Sequence, residues 1–409
     1  MQPINMSSRF TRPYLSLVNN QNLTNPTNTS TDPSLTTLSL QGLEPKEAFG
    51  GKEHDVAAVL THYAPFPEGV QDVKAATEAL IQGLGDRLAR FVTRGEPVSL
   101  FGPAFAFKSP VNAKAIEEKA DVAEATALKS VADLARDIQQ VYQPGSRFTL
   151  FQDGHPFVPI LKGHSEEATD AYLKDVRRIK DIVAGDQAGA ISIPTARDFI
   201  DATNLEDLRA KFLDRYGDTD IEKVKQRVKQ TPALEKDKLG LKTFYEYVFK
   251  YLKSLGHPDF EGMSGSAIQR EAKEVAYGMI QTREGWNNLG IQHSPEGSVR
   301  VSFTLGDTPT PNKLGLLMGT DPKRWLTPWH ATPVTVEPSV GKKETFLSKA
   351  MYATRVGFVP RKDEHGLNYM GFPDSVANNP AKQAEMVRLL KQLRPGADIE
   401  AIMAGYQKP

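Results

Sequence analysis

Apolar positions are sparse and without period over the first 45 residues, where Asn, Thr, Ser, Gln and Pro dominate (NNQNLTNPTNTSTDPSLTT). A stretch of that composition buries too little surface to offset the entropy of ordering it, so residues 1–45 read as a disordered polar arm. The other reading is a segment that wraps a neighbouring subunit. Periodic patterning starts after Gly50. Val73, Ala76, Leu80, Leu84, Leu88 and Phe91 recur at helical spacing, with Glu68 or Asp72 near the start. Gly95-Glu96-Pro97 breaks that helix, and residues 98–101 read as a short buried strand. Over residues 121–142, Val131, Leu134, Ala135, Ile138 and Val141 form one apolar stripe, closed by Pro144-Gly145. Residues 148–151 are the next strand and Asp153-Gly154 a turn. Residues 169–184 then read as a helix with Tyr172, Val176, Ile179 and Val183 aligned.

Strand, helix, strand, helix in this order predicts an α/β fold, a Rossmann-like, mostly parallel sheet flanked by helices, whose first half is residues 46–185. Residues 186–265 are more polar and read as a helical insertion (LEDLRAKFLDRY, IEKVKQRVKQ, LKTFYEYVFKYLKSLG). Its interleaved Glu and Lys describe a solvated helix face, with a nucleic-acid face as the alternative. Residues 266–409 read as a mixed α/β half: a helix over 266–289 stopped by Gly290, strands near 299–305, 314–318 and 333–336, and a last helix over 382–393. Ligands in open α/β sheets bind beyond the carboxyl ends of strands, which directs attention to the loops after Phe101 and Phe151.

Charge narrows the function classes. The 409 residues carry 50 Lys+Arg and 50 Asp+Glu, so the formal net charge is zero. A protein built to coat nucleic acid needs a surplus of cations to displace counterions, so that class is excluded, whereas a local cationic pocket for a phosphorylated metabolite is not. With no cysteine, disulfides, thiolate nucleophiles and Cys-ligated metal centres are all absent. No stretch approaches the roughly 20 apolar residues that cross a bilayer, and the amino terminus lacks a secretory pattern. A cytoplasmic protein without membrane partner is the expectation.

The common phosphate, zinc and serine-hydrolase fingerprints are missing, and the eight histidines show no metal-ligand spacing. Three clusters remain. In FGPAFAFKSP, Lys108 and Ser109 follow a strand beside Phe105 and Phe107. Desolvation there would lower the amine and make it an imine former or base; left charged it would bind phosphate. A lysine snorkelling from an apolar loop is the structural alternative. In RFTLFQDGHPF, Arg147 precedes a strand and Asp153 follows it, either as a catalytic carboxylate or as half of a common turn dipeptide. In LTPWHATPV, His330 beside Trp329 is either an acid/base group or a structural histidine.

These clusters, in this order, carry a resemblance to the pyoverdine/dityrosine biosynthesis proteins, the isonitrile (isocyanide) synthases. Phe105-Ala106-Phe107-Lys108-Ser109-Pro110 resembles that family's aromatic-Lys-Ser-Pro signature. Asp153-Gly154, Phe157, Asp170, Tyr172 and Arg177 or Arg178 are similar to its second block; Val299-Arg300-Val301-Ser302 resembles the third and Pro328-Trp329-His330 the fourth. The likeness covers roughly residues 95–340. It departs where Val111 separates Lys-Ser-Pro from Asn112, and where Thr304 and Leu305 replace the family's His and Pro.

The resemblance implies condensation of the amine of an amino acid of tyrosine or tryptophan type with the C2 ketone of ribulose 5-phosphate, one sugar carbon staying on nitrogen as the isonitrile. It implies no metal or organic cofactor, and an iron- and 2-oxoglutarate-dependent oxygenase that often acts next. On that reading Lys108 serves the ketone or phosphate, Asp153 and His330 transfer protons, and Arg147, Arg178 and Arg300 bind anionic groups. Ser109, Tyr172 and Ser302 join the substrate-binding set. The competing readings are a tyrosine-modifying, N-formylating enzyme and a binding protein derived from a synthase.

Overall fold

The structure, a computed structural model, describes residues 51–409 except residue 68 and residues 109–113, 162–163, 232–240, 256–261, 304–307, 318–325, 340–341 and 394–396. The expected polar arm, Ser109, Val111, Thr304 and Leu305 therefore lie outside the described residues. Helices α1 (Lys52–His62) and α2 (Val73–Arg94) come first. The Asp72 carboxylate caps α2 by accepting from the Ala75 amide at 2.9 Å. Then follow β1 (Val98–Ala104), α3 (Val122–Val141), β2 (Ser146–Gln152), α4 (Glu166–Ala184) and β3 (Ile191–Ser192). After α5 (Leu205–Tyr216), α6 (Ile221–Gln230), α7 (Leu241–Leu255) and α8 (Gly265–Gln292) the chain re-enters the sheet as β4 (Val299–Ser302) and β5 (Lys313–Gly315). The order is β3-β2-β1-β4-β5 and every described pairing is parallel.

The α/β architecture is the one the patterning predicts. The polar segment after residue 185 opens with β3, a two-residue strand too short to show a period. β4 and β5 extend the first sheet in parallel, and the strands of the second sheet begin at residue 332. Gly290 does not stop its helix: α8 runs on to Gln292, and a Cβ at Gly290 would lie 2.7 Å from ring atoms of Phe101 on β1. That glycine answers to helix–sheet packing rather than to a helix end.

The second sheet comprises β6 (Thr332–Ser339), β7 (Lys342–Ser348), β8 (Val359–Lys362) and β9 (Asn368–Gly371) in the order β7-β6-β9-β8. It is mixed, parallel only between β6 and β9. Val334, Val336 and Met370 pack there with Val356 of α9 (Ala350–Val356) and Met386, Leu389 and Leu390 of α10 (Pro380–Gln392), a core separate from the main one. In the first sheet β1 has β2 on one side and β4 on the other. Strand order reverses there, the point at which open α/β sheets bind ligands beyond the carboxyl ends of their strands, and the loop after Ala104 emerges at it.

Candidate active site

Beyond Ala104 the chain turns sharply at Phe105, whose φ of 55° is left-handed and uncommon for a residue with a side chain. Its buried ring packs against Trp329 and Phe303, with centroids 5.2 and 5.9 Å away. The turn aims Lys108 inward. Its ammonium is wholly buried, 2.6 Å from Asp121 Oδ1 and 2.8 Å from Glu124 Oε2. Both acids belong to the capping box of α3: Asp121 Oδ1 accepts from the Ala123 amide and Glu124 Oε2 from the Asp121 amide, each at 2.8 Å. Tyr172, buried on α4, donates its hydroxyl to Glu124 Oε1 at 3.1 Å.

Burial alone would depress the Lys108 amine, but Asp121 and Glu124 outweigh it and hold the group above its ordinary value. The lowered amine expected from the neighbouring phenylalanines is thereby overturned, because the carboxylates that decide the sign come from another element. Burial pushes Asp121 well above the carboxylate range, with Lys108 opposing and Glu124 adding to it. The Tyr172 phenol is pushed up by burial, reinforced by Glu124, Asp121 and Asp153.

Asp153, half-buried just past β2, accepts no hydrogen bond at its buried Oδ1 from the described residues, and burial lifts its carboxyl to about 8. It is therefore mostly protonated at neutral pH. Its neighbour Gly154 has an ordinary φ of −71°, yet a Cβ there would lie 2.0 Å from the Ala106 carbonyl oxygen and 2.6 Å from Gln152 Nε2. The Asp-Gly dipeptide thus serves a close approach of the two loops rather than a positive φ. Gly154→Ala is expected to cost about 1–3 kcal/mol of stability, seen as a lower urea midpoint, as overpacked sites do.

His330 ends a 3₁₀ turn, Pro328–His330, that packs beside α3. Its ring lies 6.0 Å from that of Tyr247 on α7. Burial lowers its imidazole to about 3, with the Lys114 and Lys108 ammonium groups and the His164 ring adding to the shift. The Lys114 ammonium sits 4.2 Å from the centre of the Tyr247 ring, a cation–π contact. His164 packs on Phe107 with centroids 4.0 Å apart, and burial lowers it to about 4. The Lys114 carbonyl accepts from Thr332 Oγ1 and from the Ala350 amide, both at 3.1 Å, anchoring this loop to the second sheet.

The fold thus brings Lys108, Tyr172, Asp153 and His330 together. Arg147 is not among them: it is exposed and pairs in register with Ser99 at the amino-terminal edge of the sheet, away from the carboxyl ends. Arg178 is exposed, 3.7 Å from Asp175, and Arg177 donates to the Ile193 carbonyl at 2.7 Å. Arg300 is half-buried in mid-β4, opposite Phe101 and Lys313, and Ser302 closes that strand. Asp121, Glu124, Lys114, His164 and Tyr247 are members of the site that the sequence reading did not single out. Among the described residues no group of three or more His, Asp or Glu is placed to hold a metal ion, and no helix is long and apolar enough to cross a membrane.

The profile of the pyoverdine/dityrosine biosynthesis proteins matches residues 88–353, a span that includes the whole cluster, and the chain belongs to that family. It is similar to an L-tyrosine isonitrile synthase from Pseudomonas aeruginosa, 29% identical over 284 residues, covering 68% of this chain and 83% of the relative. The L-tryptophan isonitrile synthase AmbI1 from Fischerella ambigua is 27% identical over 271 residues, 66% of this chain and 79% of the relative. The crystal structure of the PvcA protein from Pseudomonas aeruginosa superposes with a TM-score of 0.62 at 25% identity, covering 79% of this chain and all of that one.

Proposed function

We propose that this protein is an isonitrile synthase, joining the amine nitrogen of an amino acid of tyrosine or tryptophan type to a carbon of ribulose 5-phosphate without a metal or organic cofactor. The observation that carries this reading is convergence. Lys108, the Asp153–Tyr172 block and His330 are remote in sequence and share one buried cluster, over a span whose relatives are named tyrosine and tryptophan isonitrile synthases.

Attack of an amine on a ketone requires a proton for the oxygen and a base for the nitrogen, and water then leaves to give the imine. Asp153, protonated near neutrality, is the acid in this scheme. The Lys108 ammonium, held between Asp121 and Glu124, supplies a fixed positive charge where negative charge develops on the ketone oxygen. His330 is neutral and weakly basic at rest. An anionic substrate group beside Lys114 would offset that cation and oppose the effect of burial, raising the proton affinity of His330 once substrate is bound. Lys114 takes the anion-binding role expected of Arg147 and Arg178, while Arg300 and Ser302 keep theirs. Tyr247, Trp329 and Phe107 offer ring faces to an aromatic amino acid. An iron- and 2-oxoglutarate-dependent oxygenase is the expected next enzyme.

Incubation with ribulose 5-phosphate and a mixture of amino acids, followed by mass spectrometry, tests the reading. One amino acid is expected to disappear and its isonitrile to form. A product heavier by one water would be the formamide of an N-formylating enzyme, and binding without consumption would overturn the enzyme reading.

A further inference from the structure

Beside the cluster runs a line of hydrogen bonds to which none of the reacting groups belongs. Gln152, fully buried at the end of β2, donates from Nε2 to the Ala106 carbonyl at 2.6 Å. Its Oε1 lies 3.1 Å from Nδ1 of the buried His155, whose Nε2 lies 2.8 Å from Asp170 Oδ1 on α4. With the Gln152 amide turned over, two oxygens would face each other at the Ala106 contact, so Nε2 points to Ala106 and Oε1 to His155. An amide oxygen only accepts, so Nδ1 has to donate. The Asp170 carboxylate also only accepts, so Nε2 has to donate as well. All three contacts are hydrogen bonds only when the imidazole holds both protons. One end of this line is the main chain two residues before Lys108. The other loop enters it at Gln152, one residue before Asp153, and Gly154 leaves no slack between the two.

We propose that Gln152 and His155 are positioning residues that lock the Lys108 and Asp153 loops together when His155 is an imidazolium, and that loss of its proton slackens the lock. Only the kinetic arm of this proposal rests on the synthase reading. The charged groups around His155 are Asp170 and Arg177 from α4, Arg197 from the turn after β3, ion-paired with Glu166, and Arg209 of α5, which holds the Pro156 carbonyl at 2.8 Å. Burial lowers the His155 imidazole, Asp170 opposes this, and Arg197 and Arg177 reinforce it. The proton is therefore shed at lower pH than from a free histidine, and the locked state belongs to the acid side of that transition.

The test follows the intact protein, labelled with ¹⁵N-histidine, by NMR through its acid titration alongside kcat. Both ring N–H signals of His155 are expected at the acid end, one is lost as pH rises, and kcat falls through the same pH while KM holds. Asp170→Asn removes the carboxylate that retains the proton, from an exposed position outside the cluster. It is expected to move the NMR transition and the kcat limb down together, by about one pH unit. Gln152→Leu is expected to reduce kcat about 10–100-fold and to erase that limb, as a small misplacement of reacting groups does. A ring carrying a single proton throughout, or a kcat limb that stays put while Asp170→Asn shifts the His155 titration, overturns the proposal. Absence of turnover at every pH would instead refute the synthase reading, and the NMR arm would still decide the lock.

Discussion

Lys108→Met is expected to cut turnover and weaken the fold together, and a companion variant separates the two losses. Deleting the ammonium leaves Asp121 and Glu124 buried with their cation gone. Breaking a buried pair from one side typically costs about 3–5 kcal/mol, which would appear as a clear drop in the urea midpoint. Turnover should fall about 10²–10³-fold, the loss that follows removal of one preorganised donor. In the companion, Lys108→Met is combined with Asp121→Asn and Glu124→Gln, which retain shape and remove the stranded acidic groups. Stability should largely return while turnover stays at the reduced level. Full turnover in either variant would reduce the lysine to a structural partner of the two acids.

Asp153→Asn is expected to act in opposite directions on stability and activity. In the unfolded chain its carboxyl ionises at the ordinary 3.8, and in the folded protein at about 8. A group whose folded value is raised contributes fully below 3.8, and its contribution is lost as pH rises towards 8. Asparagine never ionises, so the variant should match the wild type in acid and become the more stable protein across that window. The advantage should level off above pH 8 at a few kcal/mol. Turnover should fall about 10²–10⁴-fold, the usual worth of a positioned proton donor. Unfolding midpoints at pH 4, 6 and 8 together with one rate assay decide it. An advantage that did not grow with pH would mean that the carboxyl is not held neutral by burial.

The loops at Lys108, Asp153 and His330 were legible because sheet topology sends ligands to strand carboxyl ends and because residue chemistry stands out in short runs. The same rule disfavours Arg147, which enters its strand rather than leaving it. The Lys108 partners were less visible. Asp121-x-x-Glu124 is a readable capping box, but a box announces a helix start and says nothing of the ammonium that will dock on it. Without that knowledge the sign of the Lys108 shift could not be read from its own loop. β3 and the parallel setting of β4 and β5 were hidden because pairing direction is a tertiary property, and two or three residues show no period. Gly290 misled for the converse reason: one glycine serves a helix stop or a close contact, and only the facing Phe101 ring tells which.

Phe105 bears on how such a pocket can be remodelled. Its backbone favours glycine or asparagine, whereas its ring is claimed by Trp329 and Phe303. Glycine would relax the main chain and leave a hole, and a branched aliphatic residue would fill the hole and worsen the main chain. Neither constraint can be relieved by a single exchange, so the position is frozen from two sides. Variation that enlarges or reshapes the aromatic wall has an easier route through Trp329, which carries no such backbone demand, and a library seeking new substrates would do well to start there.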